Sequence, residues 1–391
     1  MNNKKQILIV NGHLNVGGVE RSLVELLRHF NYNKYNVDLL LLEGLGDYVD
    51  EIPKEVKINT FHTRSTDGPI LKVLYHSFKT KNWFAIKYRL ILQFMRFSKK
   101  LAFLLLVKTL NVNHKYEIAI AYRTGFIADF VGLGIRSSKK ICWWHHGCIK
   151  TPNEVIQLLL FDKIITVSNG VKQLLLNVNS QLESRIKIIP NIIDVEKICH
   201  MRELSSTPCD DFKGIKFITV GRFSIEKHFE NVVYAAARLK ADKLFNFKWY
   251  IVGDGELYAQ IEKLILKFSV SDVVILCGRK SNPYPYIKHA DIMVHTSHVE
   301  SQGLVIQEAM ALGIPCVITR SIGPSEFIID GENGIMVEPN VDSLIKGIYR
   351  FVYDKNLLKK IANNGKLTIL QKYNPKSIIR QFEETINDIF K

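Results

Sequence analysis

A chain of 391 residues is too long for one typical domain and suits two of ordinary size. Hydrophobic residues make up 47% and charged residues 23%, which excludes a disordered or fibrous chain. The six cysteines show no Cys-x-x-Cys spacing, so we expect reduced thiols, a cytoplasmic location and no zinc site. The first apolar run, 7–10, is too short for the core of a signal peptide, and we expect none.

Short β-rich runs alternate with helical stretches along the chain, which is the pattern of parallel sheets covered by helices. The sequence therefore predicts an α/β protein with two Rossmann-like parallel-sheet domains that face each other across a cleft. The predicted strands of the first half are 7–10, 37–42, 56–61, 117–121, 140–144, 163–167 and 186–189. Those of the second half are 215–220, 248–252, 273–276, 291–294, 315–318 and 334–337. The predicted helices include 19–30, 229–239, 256–268 and 303–312.

The break between the halves is predicted within 191–213, where a polar, turn-rich stretch follows a strand. We assign 1–195 to the first domain and 196–374 to the second. The last segment, 375–391, has a helical pattern and is expected to pack back towards the first domain.

Much of the net charge of +15 lies in one segment of the first half, 69–116. No acidic residue occurs between Asp67 and Glu117, yet lysines, arginines and aromatic residues alternate there. Its longest uncharged run, 101–107, is far shorter than the roughly 20 residues of a spanning helix. We predict that 72–108 lies on an anionic membrane surface. The alternative is a solvated helix face, and no recognition motif supports nucleic-acid binding. The basic residues are Lys72, Lys79, Lys81, Lys87, Arg89, Arg96, Lys99, Lys100, Lys108 and Lys115.

Charged side chains in the second half follow predicted strands, where ligands of parallel sheets bind. Arg222 and Lys227 come after strand 215–220. The planar guanidinium of an arginine and the ammonium group of a lysine together suit the roughly two negative charges of a diphosphate. Glu300 and Glu308 flank Gly303, near which a helix begins with free amides that favour phosphate oxygens. Each could instead be an ordinary surface charge. No Asp-x-Asp pair ends a strand, so no metal is expected.

These motifs together resemble the group 1 (family 4) glycosyltransferases of the GT-B fold, of the bacterial surface-polysaccharide type. The motifs are Gly221-Arg222-x4-Lys227, Gly253-Asp254-Gly255, Glu300-x7-Glu308, the glycine-rich loop with Gly17-Gly18-x-Glu20-Arg21, and Gly323-Pro324-x-Glu326. The resemblance implies transfer of a hexosyl or N-acetylhexosaminyl group, with retention and without a metal, from a nucleotide-diphosphate sugar. The predicted membrane contact of 72–108 bears on the acceptor: we expect a lipid-linked or oligosaccharide acceptor, used in cell-surface polysaccharide biosynthesis at the inner face of the membrane.

The same resemblance assigns roles to individual residues. It implies catalytic roles for His145, Glu300, Arg222 and Lys227, with His146 as the alternative acceptor-side histidine. The resemblance also implies that Glu300 contacts the donor sugar and that a further residue, Glu308, binds the ribose. The remaining donor-binding residues that we assign are Gly17, Gly18, Gly221, Gly253, Arg279, Ser301, Gln302, Gly303, Leu304 and Val305.

The chain departs from the family pattern in two places. His228 follows Lys227 where the family has glycine, which predicts an altered turn. Gln302 lies in the loop after Glu300, and we expect its amide to hydrogen-bond a hydroxyl or acetamido group of the donor sugar. Two other functions remain open: a sugar-nucleotide epimerase of the same fold and a non-catalytic sugar-nucleotide-binding protein.

Overall fold

The computed structural model describes residues 4–61, 70–112, 114–204, 207 and 212–391, with the backbone alone for 70–73. Residue 69 and the side chain of Lys72, both in the predicted basic segment, lie outside this description. So do Asn113, Cys209 and most of the polar stretch predicted to separate the halves.

The first domain is built on a seven-stranded parallel sheet in the order β3-β2-β1-β4-β5-β6-β7. Its first strand is buried on both faces, as an apolar run in a parallel sheet must be, and Ile7, Ile9 and Val10 are each 0% exposed. The strands are β1 (Lys5–Asn11), β2 (Tyr35–Leu41), β3 (Lys57–Thr60), β4 (Tyr116–Ala121), β5 (Ser137–Trp144), β6 (Lys163–Thr166) and β7 (Ile186–Ile188).

The second domain has a six-stranded parallel sheet in the order β10-β9-β8-β11-β12-β13. Both sheets confirm the predicted α/β class with two Rossmann-like domains, and each predicted strand has a counterpart whose ends differ by up to three residues. The strands are β8 (Ile215–Val220), β9 (Phe247–Val252), β10 (Val274–Gly278), β11 (Ile292–His295), β12 (Cys316–Thr319) and β13 (Ile335–Val337).

Helices cover both faces of the sheets. Among the described residues, every helix falls short of the length and apolar character needed to cross a bilayer. The helices are α1 (Gly18–Arg28), α2 (Ile70–Lys79), α3 (Trp83–Phe94), α4 (Lys99–Thr109), α5 (Phe126–Asp129), α6 (Pro152–Ile156), α7 (Asn169–Val178), α8 (Val195–Met201), α9 (Phe229–Asp242), α10 (Tyr258–Lys267), α11 (Tyr284–Lys288), α12 (Leu304–Ala311), α13 (Val341–Tyr353), α14 (Lys355–Lys372) and α15 (Pro375–Asp388).

The two domains are joined by more than the linker between them. Helix α15 returns to the first domain, where the Phe382 ring lies 5.7 Å from Phe30 and 5.5 Å from Trp143 between ring centroids. Lys34 and Glu383 form an ion pair of 2.8 Å beside these rings. On another side, the Glu326 carboxylate of the second domain accepts hydrogen bonds from the first two amides of α7, in the first domain. The cleft is therefore bounded by contacts on both sides.

Helices α2, α3 and α4 form a layer on the first domain that we call the basic layer. Its inner side packs through buried residues such as Tyr88, Phe103 and Leu106. Its outer side exposes large apolar rings: Phe97 is 85% exposed, Phe78 69% and Trp83 63%. Large exposed aromatic rings that lie among lysines are unusual on a surface that faces only water.

Candidate active site

The loops that carry the predicted site residues meet where the carboxyl ends of the two sheets face each other. The backbone of Gly147, after β5, lies against that of Glu300, after β11: a Cβ atom on Gly147 would be 2.9 Å from the Glu300 carbonyl carbon. A Cβ atom on Gly18 would similarly be 3.5 Å from Leu304 Cδ1. These close approaches bring both domains to one site.

Two helices begin at this meeting point. Helix α1 starts after Gly17 and α12 starts after Gly303, whose φ of +79° is the left-handed conformation that favours glycine. Neither glycine has a side chain to cap the helix, so the first amides, including those of Leu304 and Val305, keep their hydrogen-bonding capacity. The positive ends of two helices therefore point into the cleft, which suits a diphosphate.

Glu300 is held as an anion beside these helix ends. Its Oε1 atom pairs with Lys227 Nζ and lies 2.7 Å from His295 Nε2, at the end of β11. Burial alone would raise the pKa of Glu300, but Lys227 and His295 outweigh it and lower the pKa to about 2. The backbone carbonyl of Glu300 also accepts a hydrogen bond from Gly323 at 3.0 Å. The structure thus brings Glu300 and Lys227 together, as one fixed pair.

Arg222 lies in the loop after β8 with an exposed side chain. Gly253 and Gly255, with φ of +152° and +158°, bring the loop after β9 against it. A Cβ atom on Gly253 would overlap the Gly221 carbonyl oxygen at 1.8 Å, so no larger residue fits there. The two glycine-containing loops are one packed unit, and it presents Arg222 to the cleft side of the domain.

The turn after Lys227 has a residue in the left-handed conformation at the position where we noted the departure from glycine. His228 adopts φ +48° and ψ +47°, the left-handed conformation that costs a residue with a Cβ atom. Its Nδ1 atom lies 2.9 Å from Glu230, and its ring is 4.2 Å from the ring of His298. The chain therefore forms a left-handed turn here without glycine.

Glu308 lies on α12, one turn beyond the helix start, and is only 9% exposed. The Tyr284 hydroxyl donates a hydrogen bond of 3.1 Å to its Oε1 atom. Burial raises the pKa of Glu308 to about 7, although Arg21, Tyr284 and Lys197 act in the opposite direction. The two glutamates that we predicted therefore differ in charge state near neutral pH.

His145 follows β5 and is 8% exposed. Its ring is stacked on Trp143 at 5.8 Å between centroids and lies 4.8 Å from Tyr122. Burial, with smaller contributions from His146 and Arg123, holds the pKa of His145 well below its usual range. Its Nε2 atom has no hydrogen-bond partner within the described part of the chain. A neutral imidazole with a free nitrogen is chemically able to accept a proton.

Gln302 has a different role from the one that we expected. Its Oε1 atom accepts a hydrogen bond of 2.7 Å from the Asn191 amide, and its Nε2 atom donates to the Asn191 carbonyl at 3.3 Å and to Gln307 at 2.8 Å. The side chain is 2% exposed and fixes the linker to the second domain. The expected hydrogen bond from Gln302 to the donor sugar is therefore contradicted, because both amide hydrogens are already used.

Two further assigned residues lie at the rim of the cleft. Arg279, after β10, forms an ion pair of 3.3 Å with Asp47 of the first domain. The Ser301 backbone packs against Gly323, where a Cβ atom would be 2.3 Å from the Ser301 carbonyl oxygen. No sequence motif pointed to Tyr284 or His295, which contact the two glutamates from other elements. Only the contacts across the fold reveal them.

Comparisons with known proteins agree with this geometry. Residues 211–368 match the model described as "Glycosyl transferases group 1", and residues 16–197 match "Glycosyltransferase Family 4". LpsE of Rhizobium meliloti, a lipopolysaccharide core biosynthesis glycosyltransferase, is 31% identical over 195 residues, which are 49% of this chain and 55% of LpsE. The chain thus spans little more than half the length of this relative.

Two other similarities extend over nearly the whole chain. The first is to the Campylobacter jejuni N-acetylgalactosamine-N,N'-diacetylbacillosaminyl-diphospho-undecaprenol 4-alpha-N-acetylgalactosaminyltransferase, which is 27% identical over 360 residues, 90% of this chain and 92% of that protein. The second is to the crystal structure of Anabaena HepE in complex with UDP, with a TM-score of 0.70, 17% identity, and coverage of 98% and 100%. The two family matches, the sheet order and the site residues together show that the chain belongs to the group 1 (family 4) glycosyltransferases of the GT-B fold.

Proposed function

We propose that this protein transfers a hexosyl or N-acetylhexosaminyl group from a nucleotide-diphosphate sugar to a lipid-linked or oligosaccharide acceptor, with retention. The observation that carries this proposal is the Glu300–Lys227–His295 cluster beside the uncapped starts of α1 and α12. An anion-binding region next to a fixed carboxylate suits a molecule with a diphosphate at one end and sugar hydroxyls at the other.

In this mechanism the donor diphosphate lies at the two helix starts, with Arg222 and Lys227 beside it. Negative charge on the diphosphate grows as the glycosidic bond breaks, so these groups stabilise the transition state more than the bound donor. Glu300 accepts hydrogen bonds from the donor sugar, and its low pKa keeps it an acceptor at every working pH. Glu308 binds the ribose.

The acceptor hydroxyl is proposed to reach the donor from the side of His145. The lowered pKa keeps this imidazole neutral, so it can take the proton of the attacking hydroxyl. Attack on the same face from which the diphosphate leaves gives retention, and a diphosphate oxygen can assist in removing the proton. Because Arg222 and Lys227 supply the cationic charge that a metal would otherwise provide, we propose that transfer needs no divalent metal.

We further propose that the acceptor is presented at an anionic membrane surface, such as the inner face of a cell membrane. The exposed rings and lysines of the basic layer support this, because aromatic side chains enter the lipid interface while lysines bind anionic head groups. The C. jejuni relative is named for a diphospho-undecaprenol acceptor. Assembly of a surface polysaccharide on a lipid carrier is the corresponding pathway for this chain.

The test is a turnover assay of the purified protein with UDP- and GDP-sugars and polyprenyl-diphosphate-linked saccharides, with and without EDTA. Arg222→Ala is expected to lower kcat about 100-fold, the usual effect of removing one transition-state charge, and to leave the melting temperature unchanged. Arg238→Ala is the matched control, since Arg238 is also exposed but pairs with Asp342 away from the site. Wild-type turnover by Arg222→Ala, or release of a free sugar epimer without acceptor, would contradict the proposal.

A further inference from the structure

A buried group of charges joins the two domains behind the donor site. It combines side chains from α1, α8, α11 and α12 with one from the helical turn Val49–Glu51. The group, which we call the interdomain charge cluster, consists of Arg21, Glu25, Glu51, Lys197, Tyr284 and Glu308.

Direct ion pairs hold most of the cluster together. Arg21 Nη1 lies 2.7 Å from Glu51 Oε2, and Lys197 Nζ lies 2.6 Å from the same oxygen. Lys197 Nζ also lies 2.5 Å from Glu25 Oε1. The Arg21 side chain is 9% exposed, and its guanidinium carbon lies 4.0 Å from the centroid of the Tyr48 ring. The side chains of Arg21, Glu25 and Lys197 are at most 10% exposed, whereas that of Glu51 is 26% exposed.

The cluster contains three carboxyl groups but only two cations. Arg21 and Lys197 pair directly with Glu51, whose pKa is lowered although burial alone would raise it. Among the described residues Glu308 has no such direct pair. Burial raises its pKa to about 7, and Arg21 is the charge that most opposes the rise. The space between Arg21, Lys197, Tyr284 and Glu308 has a volume of only about 10 Å³. Charges act strongly on each other in such a closed, poorly solvated space.

We infer that Arg21 is a positioning residue for the donor: from the first domain, it holds the Glu308 carboxylate of the second domain in the ionised form that accepts hydrogen bonds from both ribose hydroxyls. This inference rests on the proposed binding of ribose by Glu308. A carboxylate offers two acceptor oxygens to a vicinal diol, whereas the protonated acid offers fewer acceptors and adds a competing donor. The ribose site is therefore complete only when α1 and α12 lie together.

Nucleotide affinity is the property through which Arg21 can be tested. Groups that face Glu308 are Arg21 and Glu25 on α1, Lys197 on α8, Tyr284 on α11 and Tyr48 in the loop before Glu51. A nearby opposite charge moves a carboxyl pKa by about 1–3 units. Removing Arg21 should therefore raise the pKa of Glu308. Because the nucleotide is bound by ionised Glu308, full nucleotide affinity should then be reached only at higher pH.

The experiment measures the Kd of UDP by calorimetry from pH 6 to pH 9, with GDP as the second probe if UDP does not bind. At pH 6, Arg21→Met is expected to bind UDP about tenfold more weakly than wild type, because a pKa rise of about one unit lowers the ionised fraction of Glu308 about tenfold. At pH 9 the two proteins should bind UDP nearly equally. Using the ratio to wild type removes the titration of the nucleotide itself. Arg21→Lys should recover most of the affinity at pH 6. Arg238→Met is the matched control, because the Arg238 side chain is 62% exposed and pairs with Asp342 away from the cluster.

A second variant is expected to change the UDP affinity in the opposite direction. Glu51→Gln removes a carboxylate that competes for Arg21 and Lys197, so it should tighten UDP binding at pH 6. In a Glu308→Gln background, Arg21→Met should have no pH-dependent effect, and 2′-deoxy-UDP should show a smaller effect of Arg21→Met than UDP. A loss that is the same at every pH would mean a merely structural role and would overturn the inference alone. Failure of the wild-type protein to bind either nucleotide would overturn the proposed function as well.

Discussion

Glu300 and Glu308 are the same residue type on one loop and one helix, yet their surroundings give them different charge states. Lys227 and His295 lower the pKa of Glu300 to about 2, whereas burial raises that of Glu308 to about 7. Glu300 remains an anion under all ordinary conditions. Glu308 changes its charge close to neutral pH, so the cost of burying it depends on pH.

Glu308→Gln is expected to stabilise the protein above neutral pH. Because the folded pKa of about 7 exceeds the unfolded 4.5, wild type loses stability as pH rises between these values. Glutamine does not titrate, so the variant should gain on the order of 3 kcal/mol relative to wild type above pH 7 and much less near pH 4.5. Urea denaturation at several pH values measures this. A difference that is constant with pH would contradict the assigned pKa, and Glu338→Gln, at an exposed site, is the control.

The residues of the site could be predicted from the sequence only where local motifs carry them. Glu300, Lys227 and Gly303 follow strands in recognisable spacings, so their meeting at one sheet edge could be expected. Tyr284 and His295 could not, because their roles depend on contacts between separate elements. Gln302 was wrongly assigned to the donor for the same reason: its partner Asn191 lies 111 residues away in the chain.

At the scale of elements, the basic layer is the feature that the proposed transfer reaction leaves unexplained. Its exposed rings lie on α2 and α3 and in the turn before α4, among lysines that carry no ion pair within the described residues, apart from Lys99 with Asp129. The sequence indicated this segment by the absence of acidic residues. It could not show which rings face outwards, because Phe84 and Phe103 in the same segment pack inwards.

Replacing four lysines of the basic layer with glutamine is expected to release the protein from vesicles that contain anionic lipid. Each lysine near such a surface contributes about 1 kcal/mol, so the partition coefficient should fall by at least a hundredfold. The matched control removes four exposed lysines of α14, which changes the net charge equally. Cosedimentation with phosphatidylglycerol vesicles measures both variants, and equal binding would refute a specific membrane role. The first set is Lys79, Lys87, Lys100 and Lys108, and the control set is Lys355, Lys359, Lys360 and Lys366.

At the scale of the whole molecule, the strands were predictable because apolar runs in parallel sheets are buried on both faces. The predicted strand ends lie within three residues of the observed ones. A return of 375–391 to the first domain was expected, but the individual contacts between domains were not predictable. Glu326 at the start of α7 and Phe382 beside Trp143 join residues far apart in the chain. Such contacts determine how the two halves of the site face each other.

Phe382→Ala tests whether the returning helix supports the catalytic side of the first domain. Phe382 is 1% exposed, so the variant should lose about 3–5 kcal/mol of stability through the cavity left behind. Because Trp143 contacts Phe382 and also stacks on His145, kcat should also fall while the Kd of the nucleotide stays constant. Urea denaturation and turnover at 20 °C or below measure the two effects. Phe268→Ala, at an exposed site of the second domain, should leave kcat unchanged. An unchanged kcat in Phe382→Ala would show that α15 does not support His145.

The return of α15 also has a consequence for how the protein is made. Phe30 and Trp143 leave the ribosome early, but the side chain that completes their packing is Phe382, which is synthesised after the entire second domain. The first domain therefore exposes an unfilled apolar surface while the second domain is translated and folds. A nascent chain stalled before residue 375 should bind a general chaperone at this surface, and synthesis of α15 should release it. We therefore expect the protein to become competent for catalysis only when α15 has been translated.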